Sequence, residues 1–426
     1  MAGKLFETTV GEVCQVFDGP HATPTRLDAG PVFLGITSLN KGRIDLSASD
    51  HVSEEDFAKW TRRVTPKPGD VVFSYETKLG EAAIIPDGLR CCLGRRMGLM
   101  RPDPKKLDSR FLLFYYLGPE FQEVIRERTI HGSTVERLAL IEFPLFPLRI
   151  PPLAEQKRIA HILGTLDDKI EVNRRMNATL EAMARALFKS WFVDFDPVRA
   201  KAAGQPTGLP QPLADLFPEH LEDSPLGHIP KGWEVKPLSD LCQLGRGASP
   251  RPINDYMNGE VPWVKIADAT AAGGPFLFET KEKVKKAGAE RSVAVAPGDL
   301  ILSNSATCGV PMFVELHGCI HDGWLYFKNL RSISKLYLFH VLIELAEHLV
   351  HIADGSVQKN LNTSLVGQQN VLVPPKAIVD AFDAQATVWF AKMRQNGLES
   401  RILATLRDTL LPKLLSGELS ALESTN

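Results

Sequence analysis

Two stretches of the chain carry apolar residues at helical spacing for longer than one small domain needs. The first contains no proline from Leu153 to Asp196, and Pro152 and Pro197 mark its ends. Its apolar stripe consists of Ile159, Leu163, Leu166, Ile170, Leu180, Ala184, Leu187 and Trp191. The second stripe consists of Phe382, Ala386, Trp389, Met393, Leu403, Leu410 and Leu414. Stripes of this length are typical of coiled coils, so we predict that the two helices pair with each other rather than each packing on its own domain.

Polar residues interrupt both stripes near the middle. Asn173 and Asn177 lie in the first stripe, and Asn396 and Ser400 lie in the second. If the helices are antiparallel and related by a pseudo-twofold axis, Asn173 faces Ser400 and Asn177 faces Asn396. We hypothesise that this polar layer fixes the register of the helices at some cost in stability.

The helices belong to an internal repeat that covers both halves of the chain. The segment HGSTVERL (131–138) matches DGSVQKNL (354–361) at an offset of 223 residues. Two further matches are PKPGDVVFS (66–74) with AVAPGDLILS (294–303), and VFLGI (32–36) with PWVKI (262–266). The second pair predicts a turn followed by a β-strand in each half. Each half is therefore a globular segment followed by a helix, which predicts pseudo-symmetry.

Three segments resemble the conserved regions of the specificity subunits of type I restriction–modification systems. PPLAEQKRIAHILGTLDDKIEVNRR (151–175) resembles the central conserved region of that family, LGHIPKGWEVKPLSD (226–240) the entry to the second recognition domain, and LRDTLLPKLLSGEL (406–419) the terminal region. The resemblance implies two target-recognition domains of mixed α/β structure joined by a long antiparallel coiled coil. Gly397 and Pro412 depart from a regular second helix, so we expect a bend or an end near them.

The repeat and the resemblance together predict the domain boundaries. The predicted segments are a first target-recognition domain (1–152), a central helix (153–200), a proline- and glycine-rich connector (201–232), a second target-recognition domain (233–373), a C-terminal helix (374–418) and a tail (419–426).

The resemblance also implies partners and the division of chemistry among them. The expected partners are double-stranded DNA, two methyltransferase subunits and the translocating restriction subunits. S-adenosylmethionine, ATP and Mg²⁺ are expected on those partner subunits, and no cofactor is expected on this chain.

Composition indicates a globular protein, with 44% hydrophobic and 23% charged residues. The net charge of −2 argues weakly against a free-standing DNA-binding protein. Charge distribution matters more, and residues 90–110 hold seven Lys and Arg against two Asp, an excess that can face phosphates. The six cysteines show no CxxC spacing, the N-terminus lacks a signal pattern, and no apolar run is long enough for a membrane span. We therefore expect a cytoplasmic protein without a membrane partner.

The motifs of nucleotide and methyl-donor enzymes are missing from the sequence. It contains no GxxxxGK[ST] loop and no glycine-rich methyl-donor loop after a strand. Ile150 and Leu153 flank Pro151-Pro152, so this pair is not the Asn/Asp-Pro-Pro-aromatic motif of adenine methyltransferases. We predict a recognition subunit that is not itself an enzyme.

Two other residue sets suggest metal sites but are better explained structurally. Asp70 with Glu76 and Lys78 resembles a Mg²⁺-dependent nuclease, but the second half lacks the glutamate and the lysine, so Asp70 is interpreted as part of a Pro-Gly-Asp turn. The second set is Cys308, His317, Cys319 and His321. It has no counterpart in the first half and lacks the spacing typical of zinc, so no metal site is predicted.

Candidate DNA-reading residues are polar and basic residues on loops that follow equivalent strands and differ in sequence. In the first half they are His21, Thr23, Thr25, Arg26, Ser74, Tyr75, Lys78, Arg95, Arg96, Ser133, Thr134 and Arg137. In the second half they are Arg246, Ser249, Arg251, Ser303, Asn304, Ser305, Ser356, Gln358, Lys359 and Asn360. For each residue the alternative is an ordinary polar surface loop.

Two alternative functions remain open at this point. An assembly scaffold that joins proteins without reading DNA explains the helices, but it explains less well why the duplicated loops have diverged. A self-contained Mg²⁺-dependent nuclease is the second alternative, and cleavage by the purified chain would support it.

Overall fold

The computed structural model describes residues 5–21, 23–132, 135–305, 307–353 and 360–419. The chain forms two compact units, Met1–Glu171 with Arg401–Asn426 and Val172–Ser400. Each unit contains one copy of the globular repeat and part of both long helices.

The described part of the first unit contains four short helices beside its sheets, and the long helices are treated separately below. The short helices are α1 (Val10–Val13), α2 (Glu54–Trp60), α3 (Ser109–Leu117) and α4 (Pro119–Glu127). The strands are β1 (Phe6–Thr9), β2 (Cys14–Asp18), β3 (Leu27–Leu34), β4 (Leu39–Asn40), β5 (Arg43–Ile44), β6 (Asp50–His51), β7 (Val71–Ser74), β8 (Ala82–Ile84), β9 (Cys91–Leu93), β10 (Met97–Pro102), β11 (Thr129–Ile130), β12 (Arg137–Leu138) and β13 (Pro147–Ile150).

Two sheets and a strand pair organise the globular part of the first unit. One sheet has the order β2-β10-β7-β8, and the other has the order β6-β3-β9, in which β3 and β9 are parallel. β1 pairs with β13, which brings the start and end of the segment together. β7 is buried throughout, and α3 packs against β7, β8 and β10 of this sheet.

The second unit contains a connector followed by the second globular segment. The connector includes α6 (Asp196–Ala202), α7 (Gln211–Ala214) and the hairpin β14 (Leu221–Ser224) with β15 (Gly227–Pro230). Apart from the two long helices, the other helices are α8 (Leu238–Leu241), α9 (Ile266–Ala272), α10 (Lys286–Ala289), α11 (Lys335–Ile352) and α12 (Thr363–Gly367). The strands are β16 (Glu234–Pro237), β17 (Gln243–Arg246), β18 (Met257–Val264), β19 (Phe276–Leu277), β20 (Glu282–Val284), β21 (Val293–Val295), β22 (Asp299–Ser303), β23 (Pro311–Val314), β24 (Gly318–Ile320), β25 (Trp324–Lys328) and β26 (Asn370–Val373).

The two globular segments share one topology. The second has sheets β17-β25-β22-β23-β19 and β20-β18-β24-β21, with β18 parallel to β24 and β16 paired with β26. The sheets β2-β10-β7-β8 and β6-β3-β9 and the pair β1-β13 of the first unit correspond to β17-β25-β22-β23, β20-β18-β24 and β16-β26 here. The second segment adds β19 and β21 at sheet edges, and the pairs β4-β5 and β11-β12 are described for the first unit alone. The mixed α/β fold and the duplication predicted from sequence are therefore confirmed.

The Pro-Gly-Asp turn has the same structure in both copies. Gly69 and Gly298 adopt φ of 86° and 85°, a left-handed conformation that favours glycine. Asp70 Oδ2 accepts a hydrogen bond from Lys67 N at 2.8 Å, and Asp299 Oδ2 accepts one from Ala296 N at 3.0 Å. Each aspartate thus holds the turn that starts the central strand.

Two helices of 40 residues each, α5 (Leu153–Phe192) and α13 (Lys376–Leu415), pack against each other in antiparallel orientation. In the first unit, Arg407 Nη1 donates to Asp167 Oδ1 at 2.6 Å. In the second unit, Asn396 Nδ2 donates to Asn177 Oδ1 at 2.9 Å. The predicted pairing of the helices is confirmed.

The second helix does not end at Gly397, because α13 continues through it. A Cβ atom at Gly397 would lie 2.5 Å from Cε2 of Phe278, so glycine leaves space for this ring against the helix. Pro412 lies in the last turn of α13, where its missing N–H leaves the Asp408 carbonyl without its helical donor, and α13 ends at Leu415. Among the described residues, no helix is long and apolar enough to cross a membrane.

Candidate nucleic-acid interface

In each unit, loops that follow equivalent strands meet at one end of the larger sheet. We call residues 18–21, 75–78, 94–96 and 137 the first rim. Tyr75 N donates to the carbonyl of Arg96 at 3.2 Å, and Glu76 and Arg137 form an isolated β-bridge. Loops that are distant in sequence are therefore adjacent here.

The second unit repeats this arrangement with different side chains. We call residues 246–251, 304–305, 321–323 and 360 the second rim. Asn304 N donates to the carbonyl of Gly323 at 2.9 Å, and Ser305 forms an isolated β-bridge with Asn360. The two rims thus have one backbone frame and two unlike sets of side chains.

A carboxylate at the end of β2 organises the first rim. Asp18 Oδ1 accepts a hydrogen bond from the Tyr75 hydroxyl at 2.9 Å, and Asp18 Oδ2 lies 2.8 Å from His21 Nε2. Burial, followed by the hydrogen bond to Asp18, raises the pKa of Tyr75, so its hydroxyl stays protonated at neutral pH. Arg96 Nε lies 2.8 Å from Glu76 Oε2 across the same rim.

A carboxylate in the β24–β25 turn organises the second rim. Asp322 Oδ1 accepts from Ser249 Oγ at 2.7 Å and lies 2.9 Å from His321 Nε2, while Arg246 Nε donates to the Asp322 carbonyl at 2.7 Å. Burial alone would raise the pKa of Asp322, but the Ser249 hydrogen bond, followed by His321 and the charge of Arg246, outweighs it and lowers this pKa. The carboxylate is therefore ionised at neutral pH.

Several predicted reading residues lie exposed, as a DNA contact requires. They are His21, Thr23, Thr25, Arg26, Lys78, Arg95, Arg137, Arg246, Arg251 and Asn360. Arg96, Ser249 and Ser305 are half-buried. Some exposed side chains already have partners, since Arg26 pairs with Asp50 at 2.8 Å and Lys78 Nζ donates to the Leu39 carbonyl. Ser133, Thr134, Ser356, Gln358 and Lys359 lie outside the described residues.

Four predicted reading residues are buried, and the expectation that they lie on exposed loops is wrong. Ser74 and Ser303 are the last residues of β7 and β22, and each hydroxyl donates to a carbonyl of its own loop. Tyr75 and Asn304 are 6% and 1% exposed. β7 and β22 extend further along the chain than the sequence suggests. These four side chains are therefore packed beneath the rims instead of being exposed on loops.

The basic stretch 90–110 is largely neutralised within the protein. Arg101 binds Asp70 through two hydrogen bonds of 2.8 and 2.6 Å, Arg110 binds Asp168, and Arg90 binds Glu54. These ion pairs join elements within the unit. Arg95 is an exposed cation of this stretch and lies at the first rim.

A basic cleft that was not predicted from the sequence lies beside the first rim. The cleft has a volume of about 400 Å³, and Asp18 and His21 form one side of it. Lys59, Arg62, Arg63 and Trp60 are among the other residues that line it. The sequence signal was present as the short run KWTRR (59–63), which places three cations around an aromatic residue.

Comparison with known proteins decides the family of the chain. A family model described as the type I restriction modification DNA specificity domain matches residues 7–182 and 230–388. The chain belongs to the type I restriction–modification DNA-specificity family. Its two globular repeats are specificity domains of this family.

Individual relatives agree with this assignment. The chain is 32% identical over 407 residues to the specificity subunit of the type I restriction enzyme HindI of Haemophilus influenzae, covering 83% of this chain and 87% of the relative. It is 24% identical over 378 residues to the MjaIX specificity subunit of Methanocaldococcus jannaschii, covering 87% and 82%. The fold is similar to the crystal structure of a type I system S subunit from M. genitalium, with a TM-score of 0.56 at 16% identity over 97% of this chain and 99% of that one.

The specificity domains do not assemble the residues of the two suggested metal sites. The Asp70 carboxylate binds Arg101 and the backbone of its own turn. Glu76 pairs with Arg96, and Lys78 donates to the Leu39 carbonyl. In the second domain, the Cys308 thiol donates to the Asn304 carbonyl and the Cys319 thiol to the Pro262 carbonyl. No group of three or more His, Cys, Asp or Glu with metal-binding geometry occurs in the described part of the chain.

The polar layer lies in the helix pair of the second unit. Asn173 Nδ2 lies 3.3 Å from Ser400 Oγ and 2.9 Å from Glu399 Oε2, while Asn396 donates to Asn177. The structure thus places Asn173 beside Ser400 and Asn177 beside Asn396. Asn173 and Asn396 are 1% and 0% exposed, so the layer lies inside the seam.

Proposed function

We propose that this chain is the DNA-recognition subunit of a type I restriction–modification enzyme, in which each specificity domain reads one half of a split, asymmetric DNA site. The observation that carries the proposal is the pair of rims, because one backbone frame presents different side chains in each copy. Two domains that share a backbone arrangement but differ in their rim side chains select two different half-sites.

The helix pair is proposed to set the gap between the half-sites. A helix of 40 residues is about 60 Å long at 1.5 Å per residue. Half-sites about 34 Å apart, one turn of the duplex, present the same face to both readers. A helix pair of this length is sufficient as a rigid spacer for that separation.

Phosphate contacts are proposed for the basic cleft next to the first rim. Lys59, Arg62 and Arg63 are close to the rim because Asp18 and His21 belong to both. Contacts to phosphate position a protein on the duplex, whereas contacts to base edges specify the sequence.

Two methyltransferase subunits and the restriction subunits are the proposed protein partners. Exposed apolar side chains on both long helices support docking, because a protein partner would remove them from water. The exposed set includes Val172, Met176, Met183, Val388, Leu398, Ile402 and Leu406. Methyl transfer, ATP use and cleavage are assigned to these partners together with S-adenosylmethionine, ATP and Mg²⁺, and this chain contributes recognition without catalysis.

Selection of duplexes from a random library tests the proposal. The full chain assembled with its methyltransferase partner is expected to enrich a motif of two fixed segments around an unspecified gap. Binding without enrichment of any sequence would favour the assembly scaffold. Magnesium-dependent cleavage by the chain alone would favour the nuclease.

A further inference from the structure

Backbone hydrogen bonds show which positions of the two rims are equivalent. Gly19 N donates to the carbonyl of Met97 at 2.9 Å, and Gly247 N donates to the carbonyl of Trp324 at 2.8 Å. The residue before each glycine therefore occupies the same place at the strand end. These residues are Asp18 in the first domain and Arg246 in the second.

The adjacent turn supplies a second equivalent position. Gly94 N donates to the carbonyl of Leu34, and His321 N donates to the carbonyl of Val264, at 2.8 and 3.0 Å. The next residue along the chain is Arg95 in the first domain and Asp322 in the second. An aspartate and an arginine are thus present in both rims, with their positions exchanged.

The aspartate is enclosed and the arginine is open in both cases. The side chains of Asp18 and Asp322 are 25% and 31% exposed, and both carboxylates accept contacts from neighbouring loops. Arg95 and Arg246 are exposed. Arg246 Nε donates to the Asp322 carbonyl, and no described residue forms a hydrogen bond with its two Nη groups.

We propose that this Asp–Arg pair is a specificity-determining unit in each domain: the aspartate positions the rim, and the exposed arginine reads a guanine in the major groove. The inference rests on the proposed function and names the base that each rim selects. An arginine fork matches the O6 and N7 acceptors of guanine with two hydrogen bonds. Because the pair is exchanged, the guanidinium extends from the strand end in one domain and from the turn in the other. Each domain therefore reads its guanine at a different place in its half-site.

Asp322 acts through the turn that holds Arg246. The Asp322 carboxylate contacts both Ser249 and His321, and the Asp322 backbone carbonyl accepts a hydrogen bond from Arg246 Nε. Asp18 acts through Tyr75, whose backbone N–H binds the carbonyl of Arg96, next to Arg95. Both aspartates are positioning residues in this account.

The experiment compares base preferences of single and double variants in the full chain assembled with its methyltransferase partner. Arg246→Gln is expected to lower the preference for guanine at one position of the second half-site by about 10-fold or more, because a bidentate contact is lost. Asp322→Asn is expected to weaken the preference at that same position, and the double variant to lose little more than Arg246→Gln alone. Arg95→Gln and Asp18→Asn are expected to act in the same way on the first half-site only.

Control variants separate this inference from general charge effects. Lys105 and Arg331 follow β10 and β25 at the ends of these strands away from the rims, and Lys105→Gln and Arg331→Gln are expected to leave base preferences unchanged. An equal loss of affinity for all sequences in Arg246→Gln, with a smaller salt dependence, would show a phosphate contact and overturn the inference. Additive effects of Asp322→Asn and Arg246→Gln would overturn the positioning role. If the unaltered assembly selects no split motif, the proposed function fails instead.

Discussion

Single charged residues in this protein mainly hold loops in place, and fewer are left to contact a ligand. Asp70 illustrates this, because it binds both the turn that precedes β7 and the guanidinium of Arg101. Asp18 and Asp322 do the same for the rims. Net charge is therefore a poor guide to DNA contact here, and the exposed cations beside each rim are the informative residues.

Loss of cations from the basic cleft is expected to weaken DNA binding without changing the sequence that is read. Replacing Lys59 and Arg62 by Gln removes two proposed phosphate contacts, so the slope of log K against log salt should decrease by about one per contact. Fluorescence anisotropy with cognate and unrelated duplexes measures both slopes. Lys105→Gln is the matched control, and a change in base preference would contradict phosphate contact.

His340 makes the stability of the second unit depend on pH. It is 1% exposed among Phe188, Phe382 and Phe390, and neither ring nitrogen has a hydrogen-bond partner within the described residues. Burial, with a smaller contribution from Arg185, lowers its pKa from 6.5 to about 4. The unfolded chain therefore takes up this proton more readily than the folded chain.

The contribution of His340 to stability is fully present above pH 6.5 and is lost as the pH falls towards 4. Between pH 7 and pH 5 we expect a loss of about 2 kcal/mol in the free energy of unfolding. His340→Leu should remove this component in urea unfolding, and His348→Gln, at an exposed position of the same helix, should retain it. Equal pH dependence in His340→Leu and the unaltered chain would contradict the assignment.

At the scale of elements, the helix seam combines apolar packing with a buried polar layer. Asn396 donates to Asn177, and Asn173 contacts Glu399 and Ser400. Buried polar side chains destabilise the folded state when they lack hydrogen-bond partners. Registers in which the two helices are shifted along each other are therefore disfavoured, because these side chains would then face apolar residues.

Truncation of Asn396 is expected to destabilise the protein. Asn396→Ala leaves Asn177 Oδ1 without its donor, which costs about 1–3 kcal/mol. Gln395→Ala, at the exposed neighbouring position, should change the free energy of unfolding by less than about 0.5 kcal/mol. Thermal or urea unfolding gives both values, and similar values for the two variants would argue against a structural role of the layer.

Elements with local signals were predictable from the sequence, and contacts between distant loops were not. The helix pair follows from long apolar stripes, and the Pro-Gly-Asp turns follow from glycine and aspartate at fixed positions. The burial of Ser74 and Ser303 and the bond between Tyr75 and Asp18 depend on strand pairing across many residues, which a single sequence does not encode locally. For the same reason the basic cleft was recognisable only after folding had brought its residues beside His21.

At the scale of the whole molecule, the proposed function assigns recognition to the two specificity domains and spacing to the two long helices. Lengthening both helices by about one turn, or 5.4 Å, should change the tolerated gap by about one to two base pairs of 3.4 Å. The two half-site sequences should stay the same, because the rims are not altered. Duplex selection measures both properties, and altered half-sites with an unchanged gap would refute the spacer.

Genome-wide mapping of methylated adenines in the host tests the central claim most directly. We predict a split asymmetric motif, of which replacement of residues 1–150 by another domain of this family changes one half and leaves the other half and the gap intact. An undivided motif, or a replacement that alters both halves together, would contradict recognition by two independent domains.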